Sequence, residues 1–421
     1  FATNPDEQKL AFDLQLQNIW RPSTPCYFNA GKSKKIFSAC WVVSLEDTMD
    51  NIFDISNVIR KIFQFGAGVG IPIGNLREKD APIFEGKKSS PPEGKSSGMV
   101  EFMSLYDKVG SVTKSGGRVR RAAILCSTPI WHPDVLDFIK CKETDGTFSN
   151  MNISVSITNR FMQALKDNTT FSLHTPYNGS RVGEEKASEI WNKLCNMAWK
   201  SGDPGVIFID TVNKYNPLKK IMLIETTNPC GEVPLPPWFA CHLSMINVSK
   251  FIKQFDSGVY FDFNELFIVS YNVMGLMDNL IDKMDFPDKR FKENTLRFRP
   301  VGVGIGGLSD AMFLLDLKYN GKDGREFAAE VMRIITHACV RKSIDLAKEK
   351  GKLIEEAEEE VRRIDSHFDK GLLSAEEKTS QKILLWQSVK TKIEGFLKDT
   401  LPAEGSVMSI INAGARGTWA Q

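Results

Sequence analysis

Strand-length apolar runs alternate with amphipathic helical patterns through most of this chain, and that alternation most limits how it can fold. Val42–Leu45, Gly70–Ile73, Ala123–Leu125, Val206–Ile209 and Val301–Ile305 have the length of buried strands. Between them, Thr48–Phe65, Met99–Val112, His132–Cys141, Asn159–Lys166, Glu185–Ser201, Asn264–Lys283 and Phe327–Gly351 carry apolar residues at helical spacing. Such an order predicts an α/β architecture. Lys87–Ser97, rich in Ser, Pro, Gly and Lys, reads as a loop. From about Lys352 the character changes: Leu353–Lys398 is dense in Glu, Lys and Arg, with an apolar stripe of Ile383, Leu384, Trp386, Val389 and Ile393. That pattern predicts a solvated helical hairpin. The expected division is therefore 1–352 and a mainly helical 353–421. No internal repeat is evident.

Composition excludes several classes. With 421 residues, 42% hydrophobic and 25% charged, the chain is ordinary for a globular protein and long enough for a large core. Lys+Arg 54 against Asp+Glu 52 implies no bulk polyelectrolyte role. The most apolar stretch, Leu266–Leu280, is interrupted by Ser270, Asn272, Gly275 and Asp278, too short and polar to span a bilayer. Eight cysteines are too few for a secreted disulfide scaffold, so a reducing, cytoplasmic setting is expected. The opening Phe-Ala-Thr-Asn-Pro has no initiator Met and no signal-peptide core, which predicts a fragment with a missing start.

Two glycine clusters, Phe65–Gly70 and Val301–Gly307, look superficially like phosphate loops. Neither ends in Lys-Ser/Thr, and neither has an acidic residue closing the next strand, so close backbone packing is the simpler reading. Gly66–Gly70 could still offer N–H groups to a substrate. Gly116-Gly-Arg-Val-Arg-Arg121 is more pointed. Guanidinium forks on a flexible turn suit phosphate, although a solvated basic turn has the same composition.

The strongest local signal is Thr227-Asn-Pro-Cys-Gly-Glu232, followed by a proline run and Cys241. In an extended segment, Asn228, Cys230 and Glu232 would share one side. Pro229 and Gly231 break any helix and allow a tight loop. A carboxylate, a carboxamide and a thiol brought together suit work on a hydroxylated carbon. Cys230, Cys241 and His242 lack the close pairs of a zinc site, so no metal site is expected. Cys195 and Cys339 read as core filler; Cys26, Cys126 and Cys141 read as structural. The five histidines make no triad pattern, and His132 reads as a helix start beside Pro133.

With these motifs in order, the sequence resembles the catalytic subunit of a ribonucleotide reductase. The matching stretches are Ser23–Pro25, Phe28–Gly31, Ser38–Cys40, Leu45–Asp47, Gly66–Gly70, Gly116–Arg121, His132–Asp134, Asn152–Val155, Gly202–Gly205, Asn228–Glu232 and Arg299–Gly307, spanning about 15–350. Asn-Pro-Cys-Gly-Glu, and Cys241 eleven residues beyond Cys230, make it more similar to the adenosylcobalamin-dependent class II group than to the iron-dependent class I group.

The resemblance implies a ten-stranded α/β barrel of two five-stranded parallel halves, here incomplete, with Asn228–Glu232 as a central finger loop. It implies a thiyl radical on Cys230 that takes the 3′-hydrogen of a ribose. Glu232 would accept the 3′-hydroxyl proton, Asn228 would hold the substrate hydroxyls, and Cys40 with Cys241 would supply two electrons and become a disulfide. Thr24, Ala39, Cys40, Gly68, Asn228 and Glu232 would surround the nucleotide. Gly116, Gly117, Arg118, Arg120 and Arg121 would link an allosteric nucleotide effector to the substrate. A ribonucleoside di- or triphosphate substrate, a thioredoxin-like reductant and a homodimer are further expectations.

The sequence departs from the family in places. Cys241-His-Leu-Ser replaces the more usual Cys-Asn-Leu-Gly. The arginine loop carries one extra residue, and no ATP-cone, Pro-Thr-Gly-Thr loop or C-terminal Cys pair is found. Instead, His367–Glu377, Leu385-Trp386 and Ala413–Gly417 resemble the β′ subunit of bacterial RNA polymerase. A genuine fusion and a chimeric chain are the alternatives, and a junction inside the barrel favours the chimera. Nucleic-acid contact is expected only through this segment. The rival functions are a polymerase fragment and an inactive nucleotide-binding relic.

Overall fold

The computed structural model describes residues 1–83, 92, 94–113, 123–256, 258–370 and 373–398, with backbone alone for 349–358, 386 and 389–398. It divides into two compact units, one of 23–243 and 284–300 and another of 1–22, 244–283 and 301–421.

The first of these is built on five parallel strands in the order Cys40–Val42, Gly68–Ile71, Ala123–Pro129, Met151–Ile157 and Gly205–Phe208. This is the α/β pattern expected, with one five-stranded parallel set. The N-terminal half of the long strand Phe239–Asn247 adds an antiparallel edge beside Cys40–Val42. Helices connect the parallel strands. Met49–Gln64 shows why: Thr48 caps it by accepting from the Asn51 N–H (3.2 Å), and Ile52, Ile55, Val58, Ile59, Ile62 and Phe63 form one buried stripe. Val69, Ile71, Ile124, Cys126, Ile153 and Val155 are fully buried on the strands themselves. Burying each such side chain stabilises the fold by about 1.5–3 kcal/mol.

The opposite face has a different composition. Two rows run straight across the strands: Cys241, Cys40, Gly68 and Ala123, then Phe239, Val42, Gly70, Leu125 and Asn152. Small residues in the middle of both rows leave a shallow floor.

In the other unit, Trp20–Pro22 pairs antiparallel with the C-terminal half of the Phe239–Asn247 strand, and Val301–Gly306 pairs with that same strand. Trp20, Ile246, Phe251, Leu266, Val273 and Met277 form its core with Ala311, Val331 and Ile335. The glycines of the second cluster serve packing: a Cβ on Gly306 would lie 2.5 Å from Met245 Sδ. The helix Lys322–Asp369 runs without a break through residue 352, and Ala375–Lys398 returns against it, tied by Lys378 and Lys382 to Asp365 at 2.9 and 2.7 Å. The expected helical hairpin is present, and its first arm begins well before residue 353. Cys195 departs from the core-filler expectation. It is exposed, because Ile190, Leu194 and Met197 occupy the buried stripe of Ala187–Ser201.

His242, next to the paired cysteine of the edge strand, is fully buried, with Ser38 Oγ 3.2 Å from Nε2. Burial holds its pKa down to about 4, the Pro300 backbone contact opposing this in part. The unfolded chain takes up that proton near pH 6.5 and the folded chain near 4, so this contribution is complete above pH 6.5 and fades as pH falls towards 4. Urea unfolding between pH 7 and pH 4 should show stability falling by up to ~1.4 kcal/mol per pH unit from this group. His242→Asn should flatten that slope. An equally steep slope in the variant would contradict the assignment.

Candidate active site: a hairpin pressed onto a glycine floor

The Asn-Pro-Cys-Gly-Glu segment is the tip of a hairpin whose arms are Thr226–Thr227 and Pro234–Leu235. Gly231 N–H donates to the Asn228 carbonyl (3.1 Å), with Pro229 and Cys230 at the turn centre and Gly231 left-handed at φ 82°. A turn with Pro in its second position followed by a left-handed Gly is a common way to close a short hairpin. The segment is therefore a turn rather than the extended run in which residues alternate. Asn228 points inward and is buried, whereas Cys230 and Glu232 are exposed. The Asn228 side chain also serves the turn, its Oδ1 accepting from Val233 N–H (3.0 Å).

The hairpin lies on the small-residue floor. A Cβ on Gly70 would come within 1.8 Å of the Thr227 carbonyl oxygen, and one on Gly68 within 2.7 Å of Pro229 Cγ. The Phe65–Gly70 cluster thus admits another backbone, and the Gly68 N–H is already given to the Ala39 carbonyl (2.9 Å). Asn152 Nδ2 donates to the Pro229 carbonyl (2.9 Å).

Strand pairing and this seating bring remote residues together. Cys241 and Cys40 are directly opposed across the antiparallel pair. Residues so placed have Cβ atoms about 4.5–5.5 Å apart, a short adjustment from the ~3.8 Å of a disulfide. Asn228 Nδ2 donates to Cys40 Sγ (3.2 Å), and the Cys40 thiol donates to Glu232 Oε1 (3.6 Å). Four of the five expected catalytic residues thus form one connected group, and Cys230 sits on the same turn between two of them. Burial, then the charges of Glu232 and Cys241, pushes the Cys40 thiol well above its ordinary range. Burial and then Glu232 push Cys241 up to about 12. Both sulfurs consequently remain protonated at neutral pH, the form that can give up hydrogen.

Thr24 is exposed at the start of the helix Thr24–Asn29, and Ala39 immediately precedes the Cys40 strand. Gly116, Gly117, Arg118, Arg120 and Arg121 lie outside the described residues, as does Ala413–Gly417. Among the described residues, no group of three or more His, Cys, Asp or Glu is arranged to hold a metal, and no helix is long and apolar enough to cross a membrane. Asn152 was within reach of the sequence only as part of a matching stretch; nothing in its spacing signals its bond to the hairpin.

The chain belongs to the ribonucleotide reductase barrel-domain family, whose profile matches residues 38–396. It is 35% identical over 331 residues to a vitamin B12-dependent ribonucleoside-diphosphate reductase of Thermoplasma acidophilum, covering 78% of this chain and 42% of that protein. A protein of the same description from Mycobacterium tuberculosis is 32% identical over 342 residues, covering 81% and 48%. A vitamin B12-dependent ribonucleotide reductase of Streptomyces coelicolor is 30% identical over 366 residues, covering 81% and 37%. The chain spans less than half the length of these relatives. The profile also takes in 353–396, most of the segment resembling the polymerase subunit, and the polymerase reading is not favoured.

The glycine floor yields a prediction. Gly70→Ala should destabilise the fold by about 1–3 kcal/mol and speed alkylation of Cys40, because the hairpin must lift. Gly183→Ala, where a Cβ meets open space, should change stability by less than about 0.5 kcal/mol. Equal behaviour of the two variants in urea unfolding and thiol labelling would contradict the seating.

Proposed function

We propose that the chain forms the catalytic barrel portion of an enzyme that reduces ribonucleotides to 2′-deoxyribonucleotides. The observation that carries this reading is the group of Cys40, Cys241, Asn228 and Glu232 around the Cys230 turn. Two protonated thiols in cross-strand register are a two-electron reductant. The overall exchange balances as loss of the 2′-hydroxyl as water against conversion of two thiols to one disulfide. Cys230 is the residue that would carry the radical and remove the 3′-hydrogen. Glu232 would take the 3′-hydroxyl proton, and Asn228 would hold the hydroxyls, its amide already committed to the same sulfur that Glu232 meets. Thr24, Ala39 and Gly68 would border the nucleotide, and Gly116–Arg121 would respond to an effector.

The relatives are named vitamin B12-dependent, and the cofactor in this reading is the B12 coenzyme adenosylcobalamin. The residues present fit such a group: Cys230 is exposed, and beside its turn lies a cavity of about 500 Å³ lined by Phe208, Val212, Tyr215, Ile224, Gly231 and Pro234. That size suits the adenosyl part, which the side chains of Phe208, Val212, Tyr215 and Ile224, with polar Thr211 and Asn216, would hold. Bound there, the cofactor supplies the one-electron chemistry that makes a sulfur radical. A thioredoxin-like dithiol would re-reduce the cysteine pair, and a homodimer and a cytoplasmic setting complete the reading.

The test is formation of deoxynucleotide from ribonucleoside di- or triphosphate with adenosylcobalamin and a dithiol. Cys230→Ser should lower turnover by at least about 10³-fold while leaving the unfolding curve in place. Turnover retained by the Ser variant would refute the radical site. Activity that needs a diiron partner and ignores cobalamin would overturn the cofactor assignment.

A further inference from the structure

We infer that Asn152 is a positioning residue that sets the direction of Cys230. The inference rests on the reductive reading only in treating Cys230 as the reacting sulfur.

Asn152 occupies the Met151–Ile157 strand, where Met151, Ile153, Val155 and Ile157 are buried beneath the helices. It faces the other way and is exposed. Its row neighbours are Leu125 and then Gly70, the glycine over which Thr227 passes. From there its carboxamide N–H reaches the Pro229 carbonyl at 2.9 Å. That carbonyl belongs to the peptide group that ends on the nitrogen of Cys230. Because a peptide group is planar, holding its oxygen fixes the plane from which the Cys230 Cα departs.

The bonds inside the turn do not do this. Asn228 N–H to the Val233 carbonyl, Gly231 N–H to the Asn228 carbonyl, and Val233 N–H to Asn228 Oδ1 close the hairpin on itself. They do not tie it to the floor, and a turn lifted from the floor opens these bonds to solvent more often. The contacts from Asn228 and Glu232 to the sheet both run to Cys40 Sγ. The Cys40 thiol proton that reaches Glu232 is lost when Cys40 joins a disulfide. Asn152 bonds main chain instead, so its hold is independent of the oxidation state of Cys40. It keeps the Cys230 turn seated while the reductant pair changes form.

The test is amide hydrogen exchange at Asn228, Gly231 and Val233 in the full chain. It needs no turnover, so failure of the reductase reading would leave its outcome unaffected. Asn152→Ala and Asn152→Asp should each speed exchange at these amides about fivefold, the factor carried by one ordinary hydrogen bond. Exchange in the Ala123–Pro129 and Met151–Ile157 strands should not follow. Asn152→Gln, which keeps an N–H donor, should lie nearer the parent chain than Asn152→Ala. In a Cys40→Ala background, where the sulfur contacts are gone, Asn152→Ala should have a larger effect than in the parent. The inference is overturned if the three amides do not respond, if the two strands speed up equally, or if Gln and Ala behave alike.

Discussion

The structure around the site depends on a close approach between two backbones. The Thr227 carbonyl passes over Gly70 at a distance that leaves no room for a side-chain carbon. The contacts of Asn228 and Glu232 with Cys40 follow from that seating. With the hairpin down, Asn228 and Glu232 both meet Cys40, and Cys40 faces Cys241 because the edge strand pairs in that register. A one-residue slip of the pairing would turn Cys241 to the opposite face and abolish the pair. Hydrophobic patterning defends the register: Phe239 and Cys241 share a buried cluster with Cys40, Val42 and Leu235.

Electrostatics and burial act together on the cysteines. The paired thiols are buried beside a carboxylate, and both influences favour the protonated sulfur. Such thiols are poor nucleophiles, since the thiolate is the reactive form in exchange chemistry. A buried pair of this kind meets bulky thiol reagents slowly, while its cross-strand register leaves the two sulfurs placed to join each other once a small oxidant reaches one of them. Cys230 occupies a different environment, exposed on a turn whose shape is set by Pro229 and Gly231. The three sulfurs thus differ in burial, two enclosed and one reachable.

Much of the scaffold was legible in the sequence. Met99–Val112 and Asn159–Lys166 form as helices residue for residue, because their apolar stripes and flanking residues agree. The early strands sit two residues upstream of the apolar runs that announced them. Pro72 ends the second one, and the small residues Gly68 and Cys40, which look weak in a propensity reading, are paired strand positions. Met151–Ile157 did not stand out as a strand, since polar Asn152, Ser154 and Ser156 alternate with its apolar residues. The meeting of Cys40 with Cys241 could come only from family resemblance, because two hundred residues of intervening chain carry no distance information. The glycines were readable as sites of close packing, but not what packs there. Asn152 was invisible as an anchor because its partner is a main-chain carbonyl 77 positions away.

The most direct test of the account is to map which sulfurs join on mild oxidation of the folded chain. After diamide treatment, alkylation of remaining thiols and proteolysis, mass spectrometry should recover a peptide linking Cys40 to Cys241, with Cys230 alkylated. A chain in which Cys40 and Cys241 never link, or in which Cys230 alone captures one of them, would contradict the geometry on which the proposed chemistry stands.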